Sequence, residues 1–137
     1  MAAPTASPTV LCVDDSAGHL KLLQLTLESR NLRVETAFSG HEALTLLQSL
    51  TPDLMIVDVE MPFMDGFELT RRVRRVRRLS RIPIVIMTGS EKDDLQERAD
   101  ASGADRLLRK PIQGQNLPQV VMELLRSRGS SARTHAC

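Results

Sequence analysis

The chain contains no tryptophan, no tyrosine and only three phenylalanines among its 137 residues. Single-stranded nucleic-acid grooves use aromatic side chains as stacking platforms, so this scarcity argues against that class of binding. Cysteine is scarcer still. Cys12 lies in an apolar run, Cys137 is the last residue of a polar stretch, and nothing pairs them. Two unpaired thiols fit a reducing interior, which makes the cytoplasm the expected location. No apolar run approaches the roughly 18 residues of a membrane span, so no membrane role is expected. The opening MAAPTASPTV lacks both a basic region and a long apolar core and reads as a loose leader, not a signal peptide.

What is present suits one domain, which at this length buries roughly two thirds of its unfolded surface in a single core. The net charge of +1 conceals an asymmetry. LTRRVRRVRRLSR alone holds Arg71, Arg72, Arg74, Arg75, Arg77, Arg78 and Arg81; without those seven, the 18 basic residues fall to 11 against 17 acids, a difference of −6. Leu69, Val73 and Val76 form the stripe of this segment expected to face a core, so a solvated basic face is its plain reading. Aromatic residues are not interleaved with the arginines, and direct nucleic-acid binding is not expected. An acidic protein partner, or pairing with acids of a neighbouring segment, fits better.

Short β-branched runs alternate with amphipathic segments, the pattern of βαβ units on a parallel sheet. TVLCV, LRVETAF, LMIVDV, IPIVIMTG and ADRLLRK are the expected strands. Ser16 is placed to cap a first helix carrying Leu20, Leu23 and Leu27, and Ser39 a second carrying Ala43, Leu44, Leu47 and Leu50, which Pro52 ends. A third helix is expected from about Gly66 to Leu79, a polar fourth in EKDDLQERADAS ending at Gly103, and a fifth from near Asn116 with Pro118 in its first turn. The fold class is α/β: a doubly wound, five-stranded parallel sheet with five helices. Residues 1–8 are expected as a flexible leader, 9–127 as the folded domain and 128–137 as a disordered tail.

Sites in such a sheet lie at the carboxyl ends of the strands. Asp14 and Asp15 follow the first strand, Asp58 ends the third, Thr88 ends the fourth, and Lys110 with Pro111 follows the fifth. Each has a plain reading alone: acids that cap a helix, a strand-end acid, an ordinary turn at Thr88 and Gly89, a solvated lysine. Together those readings ask several accidents to share one edge of one sheet, and a site is the better account. Three carboxylates in one crevice repel, so a cation is implied; oxygen donors suit Mg²⁺, which availability favours, or Mn²⁺. Lys110 and Thr88 can serve the non-bridging oxygens of a phosphoryl group, and Asp58 remains as the nucleophile toward phosphorus. An aspartyl phosphate is the expected product. His19, His41 and His135 lack metal-ligand spacing and read as surface residues. Met61, Met64 and Met87 read as packing, and Asp65 as turn chemistry beside a Gly66 that takes a conformation other residues resist.

In order and spacing, VDD, DVEMPFMDG, MTG and KP resemble the receiver domain of two-component response regulators, over about Val10 to Arg126. The resemblance implies a flavodoxin-like sheet with strand order 2-1-3-4-5 and a single-domain response regulator of the CheY-like kind. Asp58 would then accept a phosphoryl group from a phosphohistidine on a sensor histidine kinase or a histidine phosphotransfer protein. Asp15 would bind Mg²⁺ directly, Asp14 partly through water, and Glu60 through its backbone carbonyl. Thr88 would be the switch hydroxyl and Lys110 the phosphate-binding lysine, with a cis peptide bond to Pro111. Glu60 and Ser90, each two residues beyond a site residue, would tune hydrolysis by an in-line water. Such a chain catalyses only its own phosphorylation and dephosphorylation and is not an enzyme for external substrates. Its output is contact with a downstream protein that the sequence does not name; the fourth and fifth strands and helices make such contacts, or homodimers, in that family. Leu107 stands where the family has its switch aromatic. That departure motivates an alternative, a phosphorylation-independent interaction module with the same fold.

Overall fold

The structure, a computed structural model, describes residues 7–111 and 116–136. Strands β1 (Thr9–Val13), β2 (Arg33–Ala37), β3 (Leu54–Asp58), β4 (Ile84–Thr88) and β5 (Arg106–Arg109) form one parallel sheet in the order β2-β1-β3-β4-β5. This is the expected order. Helices cover both faces, which is why every residue of β3 and β4 is buried and why those strands read as unbroken apolar runs. The pleat then sorts side chains between two cores. Leu11, Val13, Met55, Val57, Ile84 and Ile86 pack with α2 (Gly40–Leu46), α3 (Gly66–Arg74) and α4 (Leu95–Ser102). Val10, Cys12, Leu54, Ile56, Val85 and Met87 pack with α1 (Ala17–Glu28) and α5 (Leu117–Ala136).

Both serine caps form. Ser16 Oγ accepts the His19 N–H at 3.2 Å and Ser39 Oγ the Glu42 N–H at 3.0 Å, satisfying donors that the first helical turn leaves free. Gly103, at φ 97°, ends α4 in the left-handed region as its position suggests. The fifth helix starts at Leu117 with Pro118 in its first turn. Burial pushes the Cys12 thiol far above its ordinary pKa, so it is an inert core residue. Among the described residues, no helix is long and apolar enough to cross a membrane.

One expectation is corrected. The arginine-rich helix stops at Arg74, not near Leu79; the chain turns at Val76 and resumes as one 3₁₀ turn over Arg77–Leu79. Bonds from Arg75 N–H to Arg72 O and from Val76 N–H to Val73 O tighten that end. Val76 is consequently 39% exposed, and Leu79 takes the core place instead. At the amino end, Pro8 lies just before β1 and its carbonyl accepts the Arg33 N–H at 2.9 Å, while residues 1–6 lie outside the described residues. At the carboxyl end α5 spans Leu117–Ala136. Once its packed first half has formed, each further residue adds a backbone hydrogen bond without a new nucleation cost. Cys137 lies outside the described residues, and of His135 only the backbone is described.

Candidate functional site

Four strand ends meet at one edge of the sheet. Asp14 follows β1 and is held by its own N–H donating to Ala37 O of β2 at 3.1 Å; its side chain turns inward and is 1% exposed. Asp15 points outward. Asp58 closes β3 and is 3% exposed. One oxygen from each of Asp14, Asp15 and Asp58 lies within 4.8 Å of the others. Lys110 reaches in from beyond β5, its N–H donating to Thr88 O at 2.8 Å and its peptide bond to Pro111 cis. The Lys110 Nζ stands 2.9 Å from Asp58 Oδ1 and 3.4 Å from Asp14 Oδ2.

Electrostatics distinguish the two buried acids. Burial pushes Asp58 up to about 6 although Lys110 pulls it down, and the charges of Asp14 and Glu60 add to the rise. Burial would raise Asp14 too, but donors from His19 and Ser16 and the charges of Lys110 and His19 outweigh it and hold Asp14 below the ordinary carboxylate range. Lys110 moves up, because Asp58 and Asp14 outweigh its own burial. Asp58 Oδ1 meets the Lys110 ammonium as an ion pair, and among the described residues nothing else donates to it. An oxygen buried in that condition is costly unless a further positive group meets it.

Thr88 is fully buried at the end of β4. Its hydroxyl donates to Glu60 Oε2 at 2.6 Å and accepts the Ser90 N–H at 3.0 Å, while the Gly89 N–H donates to Glu60 Oε1 at 3.0 Å. Glu60 and Ser90 line a groove together with Lys92 and Arg98. Leu107 on β5 is half-buried and packs inward on the core beneath α3 and α4. Met61, Met64 and Met87 are buried, as packing requires.

The loop after β3 differs from expectation in two respects. Asp65 is the cap of α3, its Oδ1 accepting the Glu68 N–H at 2.9 Å, and so does more than shape a turn. Gly66 is an ordinary helical residue; what it supplies is room. A Cβ there would lie 2.5 Å from the Asp58 carbonyl oxygen, and the Gly66 N–H already donates to Val59 O at 3.0 Å. The loop is folded against the backbone of Asp58.

His19 is the residue that sequence reasoning missed. Instead of lying on the surface, its ring is 13% exposed, Nδ1 contacts Asp14 Oδ2, and Nε2 is buried without a partner. A readable signal existed: with Ser16 as cap, His19 is the third residue of the helix, the position whose side chain folds back toward residues before the cap. His41 is exposed, as expected.

These residues fit a hard divalent cation. Three converging carboxylates, two of them buried, are a donor set that Mg²⁺ or Mn²⁺ satisfies. The sequence pattern described as the response regulator receiver domain matches residues 10–122. Over 119 residues the chain is 38% identical to the transcriptional regulatory protein AfsQ1 of Streptomyces coelicolor, covering 87% of this chain and 52% of that protein. With the two-component response regulator ORR5 of Oryza sativa subsp. japonica the identity is 36% over 121 residues, covering 88% and 90%. The chain thus spans about half the length of AfsQ1, and 13% of the sensor histidine kinase GacS of Pseudomonas protegens, to which it is 37% identical over 120 residues, 85% of its own length. Among solved structures, the chemotaxis response regulator CheY4 of Vibrio cholerae superposes with a TM-score of 0.80 at 33% identity, covering 86% of this chain and 98% of that one.

Proposed function

Since the chain belongs to the receiver-domain family of response regulators, we propose that it works in two-component signalling by accepting a phosphoryl group on Asp58 from a phosphohistidine of a sensor kinase or phosphotransfer protein. The observation that carries this reading is the Lys110 ammonium 2.9 Å from Asp58 and 3.4 Å from Asp14, where oxygens of Asp14, Asp15 and Asp58 gather within 4.8 Å of one another. The names of ORR5 and GacS, a response regulator and a histidine kinase, support the nature of the donor.

Asp14, Asp15 and Asp58 would hold Mg²⁺, with the backbone carbonyl of Glu60 beside them. When bound, the ion supplies the positive charge that offsets the acids and draws phosphoryl oxygens into place. An Asp58 oxygen attacks phosphorus and forms the acyl phosphate; the P–N bond to the donor imidazole breaks, and its electron pair stays on nitrogen. Lys110 pairs with a non-bridging oxygen, and the Thr88 hydroxyl serves another after leaving Glu60. Hydrolysis by an in-line water returns Asp58 carboxylate and inorganic phosphate, with Glu60 and Ser90 flanking the approach. On this reading the chain acts only on its own acyl phosphate. Its signal leaves through protein contacts in the cytoplasm.

Acetyl phosphate or beryllofluoride with Mg²⁺ should modify the wild type and spare Asp58→Asn; equal modification of the variant removes Asp58 from its role. Loss of Mg²⁺ binding in Asp15→Ala checks the ligand assignment. A second reading, an interaction module indifferent to phosphorylation, draws on Leu107, which has no polar tip to report an inward or outward state. Identical partner-binding curves with and without beryllofluoride would favour it.

A further inference from the structure

Two of the three phenylalanines lie on the surface at the same end of the sheet. Phe67 fills the core at 0% exposure, whereas Phe38 is 49% and Phe63 99% exposed. Phe63 also has φ 69°, in the left-handed region that favours glycine. The other non-glycine residues with positive φ, Asn31 and Asn116, are of the type that tolerates it; a bulky aromatic does not. Neither packing nor backbone preference accounts for Phe63. Strained residues of this kind collect at functional sites.

Its position narrows the purpose. Phe63 rides on the loop whose Gly66 is pressed against the Asp58 backbone and whose Met64 N–H is bonded to Pro62 O at 2.8 Å. Phe38 follows β2, two residues before Gly40, where an added Cβ would lie 2.6 Å from Met64 Sδ. The two loops therefore touch, and they carry exposed Phe38, Pro62 and Phe63 at the end of the sheet that holds the acidic crevice. A histidine carried on a protein reaches Asp58 only if that protein's surface comes down on the loops at this edge. Binding energy at such interfaces concentrates in a few aromatic anchors that enter pockets of the partner.

We propose that Phe63, flanked by Phe38, is the anchor for the phosphohistidine-bearing protein, fitting an apolar pocket beside the donor histidine. This rests on the phosphotransfer reading above, and the test separates the two. Each autophosphorylated histidine kinase of the source organism is offered to the wild type, and the donor with the highest kcat/KM is used for Phe63→Ala and Phe63→Gly, with acetyl phosphate and Mg²⁺ as the small donor. Both variants should lose roughly tenfold or more in kcat/KM with the protein donor, mainly through KM. Acetyl phosphate labelling should stay within about twofold, and Phe63→Gly should melt no lower than the wild type because glycine accepts the backbone conformation. Unchanged transfer from the kinase overturns the anchor. So does an equal loss with acetyl phosphate, which would put Phe63 in the chemistry. Sedimentation showing a dimer that Phe63→Ala dissolves, with transfer intact, assigns these exposed side chains to a second copy and also overturns it. Labelling of the wild type by acetyl phosphate but by no kinase refutes the docked donor while leaving Asp58 chemistry standing, and labelling by neither refutes the functional reading itself.

Discussion

The carboxylate of Glu60 accepts the Thr88 hydroxyl at 2.6 Å through one oxygen and the Gly89 N–H at 3.0 Å through the other. Two donors at the β4 end that could serve a phosphoryl group are therefore engaged by an acid on the loop after Asp58. On the proposed phosphotransfer, phosphorylation at Asp58 would have to draw the hydroxyl away from this acid.

Glu60→Ala should then favour the phosphorylated form. A hydrogen bond of this kind contributes about 1 kcal/mol net, and its removal, with the loss of a negative charge near the phosphoryl, should raise beryllofluoride affinity roughly fivefold. Titration in the presence of Mg²⁺ reads the change. An affinity equal to the wild type would mean that Glu60 does not hold Thr88 back.

Asp58 makes the metal-free protein pH-sensitive. It titrates at an ordinary 3.8 when unfolded and at about 6 in the fold, where burial dominates. Between those values the folded chain keeps a proton that the unfolded chain has released, so the contribution is present below about 3.8 and is lost as pH rises through about 6. The gap corresponds to about 3 kcal/mol. In EDTA, Asp58→Asn should gain Tm over the wild type from pH 4 to pH 7, and Mg²⁺ should narrow the difference by favouring the carboxylate. Parallel Tm curves would contradict this.

Gly66→Ala should damage fold and chemistry together. Its Cβ would meet the Asp58 carbonyl oxygen at 2.5 Å and two more backbone atoms at 3.0 Å, and backbone does not move aside cheaply. A cost of about 1–3 kcal/mol is expected from denaturant unfolding, with slower acetyl phosphate labelling. Gly40→Ala meets only the flexible side chain of Met64 and should cost less.

Arg74 should separate sharply from its neighbours. Its guanidinium donates to Gly103 O at 2.9 Å, Ile82 O at 2.6 Å, Ser80 O at 3.2 Å and Asp105 Oδ2 at 2.9 Å. Arg74→Ala should cost about 2–3 kcal/mol by thermal or chemical unfolding. Arg75 and Arg77 have no side-chain partner among the described residues, and their alanine variants should stay within about 0.5 kcal/mol.

The strands, the serine caps and the edge positions of Asp14, Asp58, Thr88 and Lys110 were legible because each follows from a local rule: apolar run, cap spacing, residue after the strand. Arg74 and Arg78 were not. Seven arginines in one segment read alike, yet Arg74 is drawn inward to carbonyls of distant segments, and Arg78 donates to Thr51 Oγ1 at 2.7 Å and contacts the carbonyl of Leu47. Most of those acceptors are backbone carbonyls, which every residue has and no sequence pattern marks. The break at Val76 was hidden for the same reason, since the helical stripe continues past it. The side chain of Glu60 was expected at the water's approach, and its hold on Thr88 appeared only when β3 and β4 were set side by side.

Helix α3 runs antiparallel to the strands, so it begins beside Asp58 and delivers Arg75, Arg77 and Arg78 to the opposite end of the molecule. Asp14, Asp15, Asp58 and Glu60 occupy the first end and the arginines the other, under a net charge of only +1. Unlike charges are thus set at the two ends of α3 in a chain whose net charge is close to zero. An approaching charged partner exerts a torque before it exerts much pull, turning one end toward itself at distances set by the Debye length. Added salt should slow productive encounters by scrambling orientation, even where the overall attraction between the two proteins is close to nil.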